Sequence, residues 1–269
     1  MKFSLKGLLT IAAAASALVL AGCGEKEADT SKIKVGVMAG AEAQVAEVAA
    51  KVAKEKYGLD VELVTFTDYV TPNAALDDGS IDINAFQHKP YIDQQVADRG
   101  YKLTIAGNTF VYPIAGYSKQ VKAVDEIQDG ARIAVPNDPT NLGRSLILLE
   151  QQGLLKLREN VGLLATVRDI VENPKNITIV ELDAAQLPRS LDDVALSVIN
   201  TTYASSINLT PQKDGVFVED KESPYVNLIV SREDNAQAEN VQNFVKSYQT
   251  EEVYTAASDI FKGGVVKGW

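Results

Sequence analysis

The 269-residue chain is poor in the residues that most often carry catalysis or bind metals, with one cysteine and one histidine. A zinc site of histidine and cysteine ligands cannot be built from His88 and Cys23 alone. A Ser-His-Asp triad would have to use His88, and no G-x-S-x-G turn accompanies it. Segment 36–40 is glycine-containing but lacks the lysine of a phosphate loop and the spacing of a dinucleotide fold. The sequence therefore predicts no cofactor, no metal site and no enzymatic activity.

Basic residues are scarce relative to acidic ones. The chain has 26 lysines and arginines against 36 aspartates and glutamates, a formal net charge of −10. Nucleic-acid binding needs a basic surface that displaces counterions from phosphates, and attachment to anionic lipids through charge needs one too. The composition therefore predicts no nucleic-acid partner.

One long apolar run is present, and it lies near the N-terminus. Two lysines precede the thirteen residues 8–20, whose apolar character is interrupted only by a threonine and a serine. This length suits a secretory signal and is shorter than the roughly 20 residues that a membrane-spanning helix needs. The run therefore indicates export rather than a transmembrane anchor.

The apolar run ends in the letters LAGC at 20–23, which resemble the signal of bacterial lipoproteins. The alternative is an ordinary signal peptide with a chance cysteine. The resemblance implies a signal peptide over 1–22, a lipid on Cys23 and a polar tether over 23–32, which carries the chain to its first strand.

The region after the tether alternates short strands with helices. Alternating apolar residues predict the strands, and apolar residues at helical spacing predict the helices. The predicted strands are 33–37, 61–66 and 81–86, and the predicted helices are 42–57, 71–76 and 90–99. This βαβαβα order is typical of a mainly parallel sheet with helices on both faces.

A second unit of the same kind begins after residue 118. Its predicted elements are strands 132–135, 177–182 and 194–199 and a helix over 140–152. A further strand and two helices follow, and the chain is expected to return with them to the first unit. The pattern predicts an α/β fold with two lobes, in which 31–114 and 226–269 form lobe 1 and 115–225 form lobe 2. The return to lobe 1 rests partly on the family resemblance described below.

Several aromatic residues lie where predicted strands end. Phe86, His88 and Tyr91 fall in the segment NAFQHKPY, between a strand and a helix, and Tyr69 follows another strand. Ligands of open α/β sheets bind beyond the carboxyl ends of strands, so these residues could line a pocket. Packing into the core of a lobe explains them equally well.

The second unit carries a comparable strand-to-helix turn with a cation. Segment 135–144, VPNDPTNLGR, combines several N-cap residues with Arg144. Amides at a helix start and a guanidinium both suit a carboxylate; the alternative is a surface arginine on a capped helix. Asn200 and Asn227 end or interrupt apolar strands, where an asparagine must find hydrogen-bond partners. A ligand, a turn cap or a sheet-edge bond would each provide them.

Longer segments resemble the NlpA/MetQ family of methionine-binding lipoproteins, and the match covers almost the whole chain. These segments are NAFQHKPY, GNTFVYPIAGYS, PNDPTNLGRS, LPRSLDD, INTTYA and ESPYVNLIV. The resemblance implies a type II-like periplasmic-binding-protein fold, with a mixed sheet flanked by helices in each lobe and the ligand in the cleft between the lobes. It also implies a solute receptor that captures L- or D-methionine for an ABC importer.

The same resemblance implies roles for individual residues. Arg144 would hold the ligand carboxylate, and the side-chain oxygens of Asn200 and Asn227 would hold the ammonium group. Asn141 would shape the loop. The side-chain pocket would be lined by Tyr69, Phe86, His88 and Tyr91. An arginine that serves a ligand is not expected to serve the core, so removing Arg144 should leave the unliganded melting temperature unchanged.

The implied partners are methionine, an ABC permease with its ATPase, and the membrane through the N-terminal lipid. The implied location is the periplasmic side of the cell membrane, and the expected state is a monomer. Two other functions stay open at this point. One is a lipid-anchored enzyme that uses His88 as a general base, and the other is an adhesion lipoprotein that has lost its ligand.

Overall fold

Two large β-sheets and a small two-stranded sheet, covered by helices, form the computed structural model, which describes residues 29–220 and 222–269. The predicted signal peptide, Cys23 and most of the tether lie outside the described residues. Within the described part, none of the helices has the length and apolar character needed to cross a membrane.

The strands follow the chain in this order: β1 (Lys32–Met38), β2 (Asp60–Phe66), β3 (Ile83–His88), β4 (Leu103–Val111), β5 (Ala115–Tyr117), β6 (Arg132–Pro136), β7 (Lys156–Leu157), β8 (Ile170–Glu172), β9 (Thr178–Leu182), β10 (Leu196–Ile199), β11 (Phe217–Val218), β12 (Val226–Arg232) and β13 (Val266–Lys267). The α-helices are α1 (Ala41–Tyr57), α2 (Thr71–Asp77), α3 (Lys89–Arg99), α4 (Pro139–Gln151), α5 (Leu187–Ser190), α6 (Thr201–Ser206), α7 (Pro211–Asp214), α8 (Glu239–Tyr248) and α9 (Glu251–Ile260).

Both large sheets are mixed, as the family resemblance implies. The sheet of lobe 1 has the order β13-β4-β12-β3-β1-β2, with β1 parallel to β2 and β3, and β12 antiparallel to β3 and β4. The sheet of lobe 2 has the order β11-β5-β10-β6-β9, with β6 parallel to β9 and β10, and β5 antiparallel to β10 and β11. The fold is therefore the α/β type expected from the sequence.

The chain crosses between the two sheets twice. Segment 112–114 leads from β4 to β5, and segment 219–225 leads from β11 back to β12. β12 then inserts between β3 and β4, and α8 and α9 pack against α1. Phe244 of α8 is buried in the same core as Val45 of α1. The two crossings meet at Ile114 and Glu219, where the backbone N–H of Glu219 donates to the carbonyl of Ile114 at 2.9 Å.

The longest strand of lobe 1, β4, is not predicted from the sequence. β4 has the sequence LTIAGNTFV, in which Gly107 and Asn108 interrupt the apolar residues. A Cβ on Gly107 would lie 2.6 Å from Cγ1 of Val245 on α8. Gly107 interrupts the apolar pattern from which the strand could have been predicted. A glycine is needed there because α8 packs closely against the sheet.

The predicted limits of β3 are wrong by two residues. The sequence predicts a strand over 81–86, whereas the strand is Ile83–His88 and all six of its residues are buried. A strand that is covered on both faces carries no alternation of apolar and polar residues from which its ends could be located. The later end matters because it places His88 on the last position of the strand, next to the helix start.

Candidate ligand site between the lobes

A cavity lies between the two lobes and is lined by residues of both. All eight residues singled out from the sequence line it, together with four that were not. The lining residues are Tyr69, Phe86, Gln87, His88, Tyr91, Tyr112, Asn141, Arg144, Asn200, Thr201, Thr202 and Asn227. The structure therefore brings the predicted site residues together, from both lobes.

The lobe 1 side of the cavity is mainly aromatic. Phe86 comes from β3, Tyr91 from α3 and Tyr69 from the loop after β2. The ring centroids of Phe86 and Tyr91 are 6.1 Å apart, and those of Tyr69 and Phe86 are 5.9 Å apart. The hydroxyl of Tyr91 donates to the carbonyl of Tyr69 at 2.7 Å, which holds the loop against the helix. This wall suits an apolar or thioether group.

His88 joins the aromatic wall to lobe 2 and is uncharged at neutral pH. Its Nδ1 accepts a hydrogen bond from the backbone N–H of Tyr91 at 3.2 Å, so the ring caps α3. The proton therefore resides on Nε2, which donates to Oδ1 of Asn141 at 3.2 Å. Burial, and then the charge of Arg144, lowers the pKa of His88 to about 3. Both ring nitrogens are engaged and the group resists protonation, which does not suit a general base.

Asn141 organises the lobe 2 side of the cavity. Its Oδ1 accepts from His88 and, at 3.0 Å, from Nδ2 of Asn200. Its Nδ2 donates to both oxygens of Asp138, whose Oδ1 also accepts the backbone N–H of Asn141 and so caps α4. These bonds fix the side chain from both ends. The predicted loop-shaping role of Asn141 stays a prediction, and its geometry is that of a positioning residue.

Two asparagine oxygens from opposite lobes are left as hydrogen-bond acceptors. Oδ1 of Asn200 is buried and has no hydrogen-bond partner in the described part of the chain. Asn227 donates its side-chain N–H to the carbonyl of Phe86 at 3.1 Å, which orients its own oxygen as an acceptor. A buried acceptor without a partner is costly. A donor-rich ligand group, such as an ammonium, would satisfy both oxygens.

Arg144 has a carboxylate partner in the protein itself. Its Nε donates to Oε1 of Glu219 at 2.8 Å, its Nη2 donates to Oε2 of Glu219, and Nη2 also reaches the carbonyl of Tyr112 at 3.1 Å. The guanidinium lies over the ring of Tyr225, 4.3 Å from its centroid. Nη1 has no hydrogen-bond partner within residues 29–220 and 222–269. One edge of the arginine is thus taken by the crossing segments, and the Nη1 edge is left for an anion.

The ion pair with Glu219 removes the premise that Arg144 serves only a ligand. Side chains of both residues are largely buried, at 3% and 11% exposure, so removing the arginine would leave a buried charge without its partner. The sequence contains no local sign of this pair, because Glu219 lies 75 residues further along the chain. Four further lining residues were not predicted, although each lies in a segment that carries the family resemblance: Gln87, Tyr112, Thr201 and Thr202.

A glycine beside the arginine allows the helix to approach its neighbours. A Cβ on Gly143 would lie 2.1 Å from the carbonyl oxygen of Leu163, so α4 packs directly against that backbone. Across residues 29–220 and 222–269, no cluster of three or more histidine, cysteine, aspartate or glutamate side chains is arranged to hold a metal ion.

The fold and the cavity define a two-lobed substrate-binding protein. A family model described as NlpA lipoprotein matches residues 33–269, and the chain belongs to the NlpA lipoprotein family. The resemblance seen in the sequence is therefore confirmed over nearly the whole length.

The chain is similar to proteins that are named for methionine binding. It is 84% identical to the probable D-methionine-binding lipoprotein MetQ of Vibrio cholerae over 269 residues, which is 100% of both chains. A crystal structure of the methionine binding protein MetQ matches with a TM-score of 0.89 and 72% identity, and covers 90% of this chain and 99% of that one. A nutrient binding protein from Burkholderia cenocepacia bound to methionine matches with a TM-score of 0.86 and 50% identity, over 88% of this chain and 100% of that one. These relatives are named as binding proteins and not as enzymes.

Proposed function

We propose that the chain captures methionine in the cavity between its lobes and delivers it to an ABC importer. The observation that carries the proposal is the lining of the cavity, which combines aromatic rings of lobe 1 with an arginine edge of lobe 2 and two amide oxygens, one from each lobe. A free amino acid carries both charges, and burying it requires partners for each. The names of the relatives support methionine as the particular amino acid.

Each part of methionine has a matching group in the cavity. The carboxylate binds at the Nη1 edge of Arg144, and the ammonium group donates to the side-chain oxygens of Asn200 and Asn227. The thioether lies among Tyr69, Phe86 and Tyr91, because sulfur is favoured beside aromatic rings. His88 borders the same pocket as a neutral ring.

Binding is coupled to the arrangement of the lobes. In this proposal lobe 1 (31–114 and 226–269) moves against lobe 2 (115–225). The ligand favours the closed arrangement, because only in that arrangement do both lobes contact it. A permease with its ATPase then recognises the closed monomer. Nη2 of Arg144 contacts the carbonyl of Tyr112 on the first crossing segment, so the carboxylate partner is attached to the part of the chain about which the lobes would move.

The lipid anchor places this receptor on the periplasmic side of the membrane. The proposal rests on the LAGC signal ending at Cys23 and on relatives that are named lipoproteins. Cys23→Ser should give a protein that is not lipid-modified and that fractionates away from membranes, while the domain still binds methionine. A Cys23→Ser protein that stays with the membrane fraction as tightly as the parent would contradict the anchor.

A thermal-shift screen against the twenty amino acids, with D-methionine added, tests the proposed ligand. Methionine at 100 times its Kd should stabilise the protein by about 2.7 kcal/mol, and charged or β-branched amino acids should give no shift. Mass spectrometry of the denatured protein should find methionine as a co-purifying molecule. A screen in which no amino acid raises the melting temperature would contradict the proposal.

A further inference from the structure

A buried carboxyl group links the two lobes outside the ligand cavity. Glu42, the second residue of α1 in lobe 1, is 3% exposed and does not line the cavity. Its Oε1 accepts a hydrogen bond from the hydroxyl of Thr202 at 2.5 Å. Thr202 lies on α6 in lobe 2 and does line the cavity. The bond therefore crosses from one lobe to the other, directly behind the ligand site.

The surroundings of Glu42 keep its carboxyl group neutral. The titratable groups that face it are tyrosines from four different elements of the fold: Tyr69, Tyr112, Tyr203 and Tyr248. Burial raises the pKa of each tyrosine, so none is charged at neutral pH. Burial likewise raises the pKa of Glu42 to about 8, although the bond from Thr202 opposes the shift. No lysine, arginine or histidine is among the groups that shift this pKa.

We propose that Glu42 is a positioning residue that latches the closed lobes through Thr202 and thereby strengthens ligand binding without touching the ligand. The proposal rests on the proposed function for its ligand but concerns a contact between two protein side chains. Separation of the lobes would break the bond and expose the carboxyl to water, where it ionises in its ordinary range. Closure would therefore take up a proton between about pH 5 and 8, and binding would weaken as the pH rises through this range.

A different role for Glu42 would be that of a counter-ion for the ligand's ammonium group. The two roles make opposite predictions for Glu42→Gln, which keeps the size and the acceptor oxygen but cannot ionise. A latch works at least as well with glutamine, because glutamine accepts the bond from Thr202 and needs no proton. A counter-ion does not, and glutamine would then weaken binding as much as alanine.

Isothermal titration calorimetry with methionine separates these outcomes. If Glu42 is a latch, Glu42→Ala and Thr202→Val each weaken methionine binding roughly 2- to 10-fold, as expected for one lost hydrogen bond. The double variant then has the same affinity as the single variant that binds methionine less tightly. At pH 5, where the carboxyl group of Glu42 is largely neutral in either arrangement of the lobes, Glu42→Gln stays within about twofold of the parent. The affinity of the parent falls between pH 5 and 8 relative to that of Glu42→Gln. Glu47→Ala, an exposed glutamate on the same helix, is the matched control and should change nothing.

Small-angle X-ray scattering of the ligand-free proteins tests the latch independently of methionine. Glu42→Ala and Thr202→Val should have a larger radius of gyration than the parent, and Glu42→Gln should not. If the parent fails to bind methionine in calorimetry, the proposed function fails, and the scattering still decides on the latch. The latch is contradicted if Glu42→Gln behaves like Glu42→Ala, if the two single losses add in the double variant, or if neither loss affects affinity and scattering.

Discussion

The two walls of the cavity differ in how they are built. The lobe 1 wall comes largely from one continuous stretch, 86–91, where a buried strand passes into a helix, and it is aromatic. The lobe 2 wall is polar and is assembled from the starts of two helices, α4 and α6, backed by the crossing segments. The lobe 1 wall offers an apolar surface and one amide oxygen, that of Asn227, but no partner for a carboxylate, which only Arg144 of lobe 2 provides. The difference indicates that selectivity for an amphipathic zwitterion arises only when the lobes meet.

The polar groups of the lobe 2 wall differ from one another in how far hydrogen bonds within the protein satisfy them. Asn141 is bonded at both ends of its amide, whereas Asn200 has a buried oxygen without a partner in the described part of the chain. Arg144 lies between these cases, with one edge paired and one edge free. Variants at these residues should therefore have different effects on stability and on binding.

The largest effect is expected from Arg144→Ala. Loss of the carboxylate partner should weaken methionine binding by about 3–5 kcal/mol, or about two to four orders of magnitude in Kd. The unfolding free energy of the unliganded protein should also fall by roughly 3 kcal/mol, because Glu219 is left buried and unpaired. Calorimetry and urea unfolding measure the two quantities.

Two comparisons make the Arg144 test specific. Methioninol, which lacks the carboxylate, should bind the parent poorly. Its affinity should fall much less than that of methionine when Arg144 is replaced by alanine. Arg168→Ala, an exposed arginine of the same lobe, should change neither quantity. Equal losses for methionine and methioninol would remove Arg144 from the ligand and leave it as a structural partner of the crossing segments.

The next largest effect concerns His88 on the aromatic wall. Its folded pKa of about 3 lies below the ordinary value of 6.5, so the unfolded chain binds a proton that the folded protein excludes. The stability that the neutral ring of His88 contributes is complete above pH 6.5. As the pH falls below this value, the free energy of unfolding decreases by about 1.4 kcal/mol per pH unit. Between pH 6.5 and 4.5, the free energy of unfolding of the parent should fall by about 2.7 kcal/mol more than that of His88→Asn. Asparagine is chosen because it can still cap α3. If the free energies of unfolding of the parent and of His88→Asn fall in parallel as the pH is lowered, His88 is not a buried neutral ring.

A smaller effect is expected from Asn200→Ala on the polar wall. Removing this acceptor should weaken methionine binding by about 1–3 kcal/mol, or roughly 5- to 150-fold. Asn235→Ala is the control, because its oxygen is also buried without a partner in the described residues but does not line the cavity. A loss of affinity of the same size in both variants would place the ammonium group elsewhere.

The smallest effect probes the aromatic wall through the ligand. Norleucine has the length of methionine without the sulfur, and it should bind more weakly by about 0.3–1.5 kcal/mol, or roughly 2- to 12-fold. Phe86→Leu should reduce this difference, because fewer aromatic contacts remain for the sulfur. An undiminished preference for methionine in Phe86→Leu would mean that the thioether does not lie against this ring.

The contrast between the walls also explains what could be predicted from the sequence. The aromatic wall is local, so the strand-to-helix transition at 86–91 already marked a candidate pocket, with core packing as an equal alternative. The turn before Arg144 marked a candidate site for a carboxylate, with a surface arginine as the alternative. The pairs Arg144–Glu219 and Glu42–Thr202 join residues 75 and 160 positions apart. No periodicity or capping pattern connects such positions, because only the packing of the two lobes brings them together. β4 was missed because its glycine serves a neighbouring helix rather than the strand.

The orientation of the ligand across the two walls is the central claim, and bound selenomethionine would test it most directly. In a crystal of the unlabelled protein soaked with selenomethionine, selenium is the only strong anomalous scatterer in the cavity. We predict one anomalous peak among the rings of Tyr69, Phe86 and Tyr91, on the lobe 1 side. A peak beside Arg144 or Asn200, or an empty cavity at saturating selenomethionine, would contradict the account.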